Sequence, residues 1–302
     1  MRIGIDLGGS KIEAVAMAAD GGIRLRKRLP TPRGDYRRIV DTLAALVAQI
    51  EAELRIQARV GIGIPGAWSP ASGRIKNANS TELIGQDLPA DLAQCCQRPV
   101  RISNDANCFA LSEARDGAGA QAGNVFGVIL GTGVGAGLVI NGNLVGGCNL
   151  IAGEWGHNPL PWPSAAELPG PRCYCGLHGC IETFLSGPGL AADDAGSGPG
   201  RPAGIRDPQH IARAAAAGET RARASLDRYA NRLARGLASI INVLDPQVIV
   251  LGGGLSKLDY LYREVPAQWS RYVFSDRVDT RLRPPAHGDA SGVRGAAWLW
   301  EA

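Results

Sequence analysis

The 302-residue sequence lacks several features that would place it in large classes of protein. No apolar run is long enough to cross a bilayer, and Met1–Asp6 enters a predicted strand without an apolar signal region. The net charge is only +4 and is scattered, so no nucleic-acid partner is expected. A Gly-x-x-x-x-Gly-Lys-Ser/Thr pattern is also absent, which excludes a Walker-type phosphate loop. The remaining composition, 45% hydrophobic and 20% charged, is that of a globular chain with room for two domains.

The seven cysteines form an odd set that does not suit a disulfide framework. Cys173, Cys175 and Cys180 lie within eight residues, and His157 precedes them in a His-x15-Cys-x-Cys-x4-Cys pattern. Three thiols and an imidazole at this spacing predict a tetrahedral zinc site. Four protein ligands leave no open position, so the zinc is expected to be structural. The alternative is three buried free cysteines, which is poor core composition beside so many glycines. A reducing, cytoplasmic setting is expected.

The predicted elements form one unit that occurs twice. A three-strand meander is followed by alternating strands and helices up to about residue 115, which predicts a mixed sheet in an α/β fold. The pattern then restarts, and Ile3–Met17 aligns on Phe126–Ile140 without a gap. Gly117–Ala120 is predicted to be a hinge, and the Gly/Pro/Ala-rich stretch 193–207 a mobile loop.

Glycines cluster at three predicted strand ends. Asp6–Lys11 reads Asp-Leu-Gly-Gly-Ser-Lys, and Gly131–Gly133 lies at the equivalent place of the repeated unit, where Ile129 replaces Asp6. Each turn alone could be an ordinary chain reversal, but three such turns with exposed backbone N–H groups favour a polyphosphate site. Asp6 is placed to act on magnesium or its waters. The residues predicted to bind ATP are Asp6, Gly8, Gly9, Ser10, Lys11, Gly131, Thr132, Gly133, Gly135, Gly252, Gly253 and Gly254.

Asp105 follows a predicted strand, begins a predicted helix, and lies within Asn104–Asn107. The commoner role of Asp at such a place is to cap the helix. The alternative is a catalytic base, which would take the proton of a sugar hydroxyl as that oxygen attacks the γ-phosphate of ATP. Glu154 and Glu182 flank the candidate zinc ligands. Their carboxylates suit paired hydrogen bonds from sugar hydroxyls, although surface charge is the usual role of Glu.

Taken together, these motifs resemble the ROK family of bacterial sugar kinases and repressors. The resemblance covers nearly the whole chain except residues 193–207. The matching segments are Asp6–Lys11, Asn104–Asn107, Leu130–Gly133, Gly153–His157, the three clustered cysteines and Val250–Gly254. Ser10 stands where relatives usually have Thr, and the hydroxyl group is kept.

The resemblance implies two ribonuclease-H-like domains of the actin/hexokinase superfamily, with ATP and sugar in the cleft between them. The smaller domain would comprise 1–117 and the C-terminal helix 290–302, and the larger 118–289 with the zinc-binding insertion. By motif match, Asp105 becomes the catalytic base. The implied sugar contacts are Asn104, Glu154, His157 and Glu182. A homodimer is expected only by analogy with relatives.

Within the family, four segments resemble the fructokinase branch: Leu29–Arg33, Lys76–Thr81, His157–Trp162 and Ser291–Trp300. The resemblance therefore predicts an ATP-dependent, magnesium-requiring fructokinase that phosphorylates the 6-hydroxyl of fructose, with mannose as a second substrate. The shared motifs leave glucose or N-acetylglucosamine as alternative substrates. A non-catalytic, sugar-responsive protein is the more distant alternative.

Overall fold

The computed structural model of the protein describes residues 1–78, 80–196 and 206–300. The N-terminal part contains β1 (Arg2–Leu7), β2 (Lys11–Met17), β3 (Ile23–Pro30), α1 (Tyr36–Leu54), β4 (Arg59–Ile64), β5 (Ala67–Ser69), β6 (Arg74–Lys76), α2 (Leu88–Cys96), β7 (Val100–Asn104) and α3 (Asp105–Arg115). The remainder contains β8 (Asn124–Leu130), β9 (Val134–Ile140), β10 (Asn143–Leu144), α4 (Ile181–Leu185), α5 (Gly187–Ala195), α6 (Pro208–Ala216), α7 (Thr220–Leu244), β11 (Val248–Gly252), α8 (Asp259–Glu264), β12 (Arg281–Arg283) and α9 (Ser291–Trp298). Short 3-10 helices join these elements, among them Glu154–His157.

Two five-stranded sheets repeat one strand order. The first runs β3-β2-β1-β4-β7 and the second β10-β9-β8-β11-β12. The central strand of each sheet, β1 or β8, pairs antiparallel with the next strand in the sequence, β2 or β9. On its other side it pairs parallel with β4 or β11. The predicted α/β class and the predicted internal repeat are confirmed by this duplicated topology.

Helix α1 shows how local sequence produces these elements. The Asp35 side chain accepts a hydrogen bond from the backbone N–H of Arg38, which satisfies one free donor at the start of the helix. Apolar residues at helical spacing, among them Ile39, Leu43 and Ile50, are fully buried against the first sheet. The helix therefore forms one layer of the N-terminal core.

Two helices lie between the sheets and bring the active-site region together. Helix α3 packs on β8 and β9, whereas α9 packs on β1 and β4, and the two helices pack on each other. The helices approach very closely, since a Cβ on Gly295 of α9 would lie 1.6 Å from the carbonyl oxygen of Cys108 in α3. The N-terminus of α3 is thus held between the two sheets.

The chain passes between the two sheets twice, and one buried side chain binds both connections. The Glu113 carboxylate accepts hydrogen bonds from the N–H of Ala118, at 2.8 Å, and from the N–H of Ala286, at 3.0 Å. The Ser291 hydroxyl donates to the other carboxylate oxygen at 2.7 Å. The predicted hinge at Gly117–Ala120 lies at the first of these connections. The exact division into domains remains a prediction.

Several details differ from the sequence-based expectations. Of the stretch 193–207 predicted as a loop, Asp193–Ala195 complete α5, because they continue a helix that Ser186 caps. Residues 197–205 lie outside the described residues, as do 79, 301 and 302. The β5–β6 hairpin was not predicted, because three-residue strands carry too little periodicity. The last helix ends at Trp298 rather than Trp300.

Within 1–78, 80–196 and 206–300, no helix combines the length and the apolar character needed to span a bilayer.

Candidate active site

A cavity of about 670 Å³ lies between the segments that follow β4 and β7 on one side and the β8–β9 turn on the other. It brings together residues that are far apart in sequence. The predicted site residues that line it are Asn104, Asp105, Gly131, Thr132, Gly133, Gly135, Glu154, His157, Cys175 and Glu182. The predicted nucleotide-binding residues Asp6, Gly8, Gly9, Ser10, Lys11, Gly252, Gly253 and Gly254 are not part of its wall.

The structure separates the two roles that the sequence left open for Asp105. Asn104 is the N-cap of α3, and its Oδ1 accepts a hydrogen bond from the Asn107 N–H at 2.7 Å. Asp105 is the first helical residue, and its Oδ1 accepts from the adjacent Ala106 N–H at 2.8 Å. Among the described residues, nothing is bonded to Oδ2 of Asp105. The cap is therefore provided by the neighbour, and one oxygen of Asp105 stays available to the cleft.

The two predicted acidic groups of the first half influence each other electrostatically. Asp105 faces the solvent of the cleft, yet the surrounding protein removes enough hydration to raise its pKa. The Ala106 N–H opposes this shift, and the charge of Glu154 adds to it. Burial raises the pKa of Asp6 to about 6, with a further contribution from the charge of Asp105. A cation bound near both groups would favour their ionised forms, because opposite charge stabilises a carboxylate.

The turn between β8 and β9, Gly131–Gly133, is here called the second glycine turn. Within it, the Gly131 N–H donates to the Gly133 carbonyl at 3.0 Å. The N–H groups of Thr132 and Gly133 have no acceptor among the described residues. Free, adjacent backbone donors at the edge of a cleft are suited to an anionic ligand such as a phosphate group.

The turn Gly8–Ser10 between β1 and β2, here called the first glycine turn, occupies the equivalent place in the other sheet. Thr31, which directly follows β3, holds it, because the Thr31 hydroxyl donates to the Gly8 carbonyl at 2.7 Å and the Thr31 N–H to the Ser10 carbonyl at 3.1 Å. The Lys11 ammonium lies 3.8 Å from a carboxylate oxygen of Glu13. Its predicted phosphate contact therefore competes with an existing ion pair.

The third predicted glycine turn, Gly252–Gly254, lies beside the second. Strand β11 pairs with β8 so that Gly252 is opposite Ile129. Gly253 has a φ of +78°, and a Cβ there would lie 2.4 Å from the Leu130 carbonyl oxygen. Only glycine fits both the backbone conformation and this close approach.

The four predicted zinc ligands come together in space. One ligand atom from each of His157, Cys173, Cys175 and Cys180 lies within 4.8 Å of all the others. The Cys173 Sγ is 3.5 Å from the His157 Nδ1, and the Cys175 and Cys180 sulfurs are 3.6 Å apart. Ligands of a tetrahedral zinc with Zn–S bonds of about 2.3 Å would be separated by roughly 3.7 Å. The donor set thus fits a zinc ion, and all seven cysteines are free thiols.

Proton affinities within the cluster are uneven. A hydrogen bond from the Leu177 N–H lowers the pKa of the Cys175 thiol to about 7. Burial raises the pKa of the Cys180 thiol to about 12. A thiolate is the metal-binding form of cysteine, so the cluster is partly prepared for a cation by its backbone.

Tyr174 is a cleft residue that sequence reasoning missed. Its hydroxyl is 2.8 Å from the His157 Nε2, and the two rings meet edge to face with centroids 5.0 Å apart. His157 therefore has Nδ1 towards the cysteines and Nε2 towards the cleft. The signal available in the sequence was the position of Tyr174 between two candidate metal ligands, Cys173 and Cys175.

Comparison with known proteins identifies the family. The model of the ROK family matches residues 2–302. The chain belongs to the ROK family. An N-acetyl-D-glucosamine kinase from Pectobacterium carotovorum subsp. carotovorum is 41% identical over 304 residues, covering 99% of this chain and 98% of that protein.

Two crystal structures show the same fold. The ROK hexokinase from Thermus thermophilus is 31% identical, with a TM-score of 0.85 and coverage of 98% of this chain and 96% of that one. A ROK family glucokinase from Streptomyces griseus in complex with glucose and AMPPNP is 29% identical, with a TM-score of 0.77 and coverage of 99% and 98%. The predicted actin/hexokinase-type architecture is confirmed for this ROK protein.

These comparisons correct the predicted substrate and enzyme name. The prediction of a fructokinase acting on fructose is wrong, because the full-length relative at 41% identity is an N-acetyl-D-glucosamine kinase. The four segments that suggested the fructokinase branch include structural parts of this ROK fold. Thr31 holds the first glycine turn, and Ser291–Trp298 is the helix between the sheets. Residues of this kind maintain the fold, so their presence does not indicate which sugar is bound.

Proposed function

We propose that this ROK protein is an ATP-dependent N-acetyl-D-glucosamine kinase that phosphorylates the 6-hydroxyl of the sugar. The observation that carries the kinase chemistry is the cleft itself. Asp105 lines the same cavity as Thr132 and Gly133, whose N–H groups have no acceptor among the described residues. The sugar identity rests on the similarity to the Pectobacterium enzyme.

Asp105 acts as the general base in this proposal. Its unbonded Oδ2 takes the proton of the 6-hydroxyl while that oxygen attacks the γ-phosphorus of ATP. Burial raises the pKa of the Asp105 carboxyl, and a higher pKa makes its carboxylate a stronger base towards the 6-hydroxyl proton. The second glycine turn would donate hydrogen bonds to phosphate oxygens, and the first glycine turn would approach from the other side.

The sugar would be held by side chains around Asp105. Asn104, Glu154 and His157 line the same cavity and offer an amide, a carboxylate and the ring nitrogen Nε2. The Tyr174 hydroxyl occupies the hydrogen-bonding place at Nε2, so a sugar hydroxyl that bound there would replace it. Glu182 supplies a second carboxylate in the wall.

A second, mostly apolar cavity supports a substrate larger than glucose. It measures about 300 Å³ and shares Ala67, Asn104 and Glu154 with the main cleft. Its wall contains Trp68 and Asn107, whose Nε1 and Oδ1 are buried without hydrogen-bond partners. An acetamido group has a carbonyl that could accept from the Trp68 Nε1–H and an N–H that could donate to the Asn107 Oδ1. Because these two atoms are buried, both side chains must shift slightly to reach the group. The apolar part of the wall includes Ile64, Ile102, Leu144, Leu150, Ala152 and Leu299.

Two metal ions belong to the proposal. His157, Cys173, Cys175 and Cys180 would hold a structural zinc ion, which would fix the segment that carries Glu154, His157 and Glu182. Asp6 and Asp105 would bind magnesium or its water ligands. Magnesium, when bound, neutralises phosphate charge.

The quaternary and domain organisation is proposed more simply. We infer a smaller domain from 1–117 with 290–302 and a larger one from 118–289, because α9 packs on the first sheet after the chain has completed the second. Pairing of two copies into a homodimer rests on family analogy alone, and light scattering at several concentrations tests it.

A coupled ADP-release assay over a panel of hexoses tests the function. We expect the highest kcat/KM with N-acetylglucosamine, lower values with glucose and mannose, and the lowest with fructose. Sugar binding without ATP turnover would instead support a sugar-responsive, non-catalytic protein. Ala152→Phe, which fills the smaller cavity, should reduce kcat/KM for N-acetylglucosamine more than for glucose. An equal effect on both sugars would exclude that cavity as the acetamido site.

A further inference from the structure

The second glycine turn is held at both ends by one short segment of chain. The Gly187 N–H donates to the Gly131 carbonyl at 2.7 Å, at the entry to the turn. The Val134 N–H donates to the Glu182 Oε2 at 2.8 Å, at its exit. Glu182 belongs to α4 and Gly187 begins α5, so only four residues lie between the two anchors in the sequence. The turn is therefore fixed from outside its own sheet.

The carboxylate lies directly against the turn. A Cβ added to Gly133 would be 2.6 Å from the Glu182 Oε2, so a side chain at this position would push the carboxylate away from the turn. Glycine at 133 therefore permits the approach of Glu182 as well as exposing its own N–H. Because Gly133 sits between the anchored residue Val134 and the free donor Thr132, movement of the carboxylate would move the donors.

A contact between a carboxylate and a presumed phosphate site needs a physical reason. The negative charge of Glu182 would repel a phosphate group, so its role cannot be to attract the nucleotide. A hydrogen bond from an N–H to a carboxylate is, however, shorter and stronger than one to a neutral acceptor. Glu182 accepts the hydrogen bond of the Val134 N–H in this way, while the Thr132 and Gly133 N–H groups have no partner in the described part of the chain.

The same segment is attached to the cysteine cluster. Helix α4 begins immediately after Cys180, and the Ile181 N–H donates to the Asn158 carbonyl at 2.9 Å. Cys180 also forms a β-bridge with Pro159. The start of α4 is thus held next to both His157 and Cys180. Because Glu182 lies in the first turn of α4, these contacts also fix the position of Glu182.

We propose that Glu182 is a positioning residue for the nucleotide: by fixing the exit of the second glycine turn, it sets the direction of the two free N–H groups that bind ATP. This role is additional to its predicted sugar contact, and it rests on the proposed function in that the turn must bind a nucleotide. It makes Glu182 the physical link between the sugar-binding segment, the cysteine cluster and the phosphate-binding turn.

Nucleotide affinity without sugar separates this role from a sugar contact. The dissociation constant of AMPPNP with magnesium is measured by calorimetry in the absence of any sugar. Glu182→Ala removes the acceptor, and Glu182→Asp keeps the charge but withdraws it by one methylene. Both should weaken AMPPNP binding about tenfold, since a hydrogen bond to a charged acceptor is lost. Glu182→Gln keeps an oxygen at the same reach and should stay within about threefold of the wild type.

The matched control is Glu154→Ala. Glu154 lines the same cavity and makes no hydrogen bond to the second glycine turn. We expect its AMPPNP affinity to equal that of the wild type while its KM for sugar rises. All variants are checked by circular dichroism and thermal unfolding, and if Glu182→Ala fails to fold, the Asp and Gln variants still give the comparison.

The outcomes are distinct. Wild-type AMPPNP affinity in folded Glu182→Ala or Glu182→Asp, with only the sugar KM changed, would overturn the positioning role. Equal weakening in Glu154→Ala would also overturn it, because the effect would then be a general property of the cleft. Failure of the wild-type protein to bind AMPPNP at all would instead contradict the proposed kinase function.

Discussion

The two glycine turns occupy the same place in two copies of one structural unit, yet the chain holds them differently. The first, Gly8–Ser10, is held by Thr31, which directly follows strand β3 of the same sheet. The second, Gly131–Gly133, is held by Glu182 and Gly187, about fifty residues further along the chain. The first turn is thus fixed within its own sheet, and the second by the segment that carries the candidate zinc ligands.

The strands that precede the two turns also differ, because one carries an acidic residue where the other carries an apolar one. Asp6 in β1 is followed by the first turn, whereas Ile129 holds the equivalent position in β8. Asp6 and Asp105, which we propose as the cation-binding carboxylate and the base, therefore both come from the first half. The second half presents free N–H groups without a carboxylate in its strand. In the proposed function the duplicated scaffold has divided its roles, and the second turn is hydrogen-bonded to the segment that we propose holds the sugar.

The largest expected effect comes from removing the base of the first half. Asp105→Asn keeps the size of the side chain and the acceptor for the Ala106 N–H, but it cannot take a proton. We expect kcat to fall about 10²- to 10⁴-fold, the usual contribution of general-base catalysis. Sugar binding measured by calorimetry should change little. A near-normal kcat would show that Asp105 is only part of the helix start.

The next largest effect tests the coupling of the second turn. Cys175→Ser should reduce bound zinc, measured by elemental analysis, and loosen the segment that presents His157 and Glu182. We expect the KM for sugar and the AMPPNP dissociation constant each to rise about tenfold, a usual cost of disturbing the support of a metal site. Cys95→Ser is the control, because Cys95 is an exposed thiol outside the cluster. Unchanged zinc content in Cys175→Ser would refute the site. If zinc-free, folded protein kept the same KM for sugar and the same AMPPNP dissociation constant, the cluster would stabilise the local structure without affecting either ligand.

Most of this asymmetry in chemistry was predictable from sequence. The repeat alignment placed Ile129 opposite Asp6, and the spacing of the cysteines and His157 predicted a cluster that the structure assembles within 4.8 Å. These signals are local, since each depends on residues close together in the chain or on one repeated motif. The helix boundary at Asp105 was predicted as well, although Asn104 and not Asp105 turned out to be the cap.

The anchors were not predictable, because each depends on a contact between distant segments. Nothing in the sequence around Thr31 indicates that its hydroxyl reaches the Gly8 carbonyl. Glu182 was predicted only as a sugar contact, and its bond to the Val134 N–H depends on how α4 packs beside the second turn. The sugar preference was missed for a related reason, since the cavity proposed to hold the acetamido group is lined by four separate stretches of the chain, 64–68, 101–107, 144–154 and 299.

A smaller effect tests the anchor of the first turn. Thr31→Val keeps the shape of the side chain and removes the hydroxyl that donates to the Gly8 carbonyl. Loss of a hydrogen bond worth about 1 kcal/mol should raise the KM for ATP about fivefold, with the KM for sugar unchanged. Thr31→Ser, which keeps the donor, should behave as the wild type. A rise in both KM values would mean that the first turn is coupled to the sugar site as the second is.

The smallest expected effect is a pH-dependent change in stability at Asp6. Its pKa is raised from 3.8 to about 6 in the folded protein, mainly by burial. The folded state therefore holds this proton more tightly than the unfolded state, and the ionised carboxylate destabilises the fold increasingly as the pH rises from about 4 through about 6. Asp6→Asn stays neutral, so in magnesium-free buffer its melting temperature should exceed that of the wild type at pH 8 and approach it at pH 4.

Asp276→Asn is the control for this comparison, because Asp276 is exposed and lies away from the cleft. This variant should show the same difference in melting temperature between pH 4 and pH 8 as the wild type. Asp6→Asn should at the same time lower kcat, so the first half would gain stability as it loses its cation-binding carboxylate. A lower melting temperature of Asp6→Asn at pH 8 would contradict the argument. It would mean that the surrounding protein stabilises the ionised Asp6 carboxylate. An acidic residue at this position, in place of the Ile129 of the second half, would then not lower the stability of the fold.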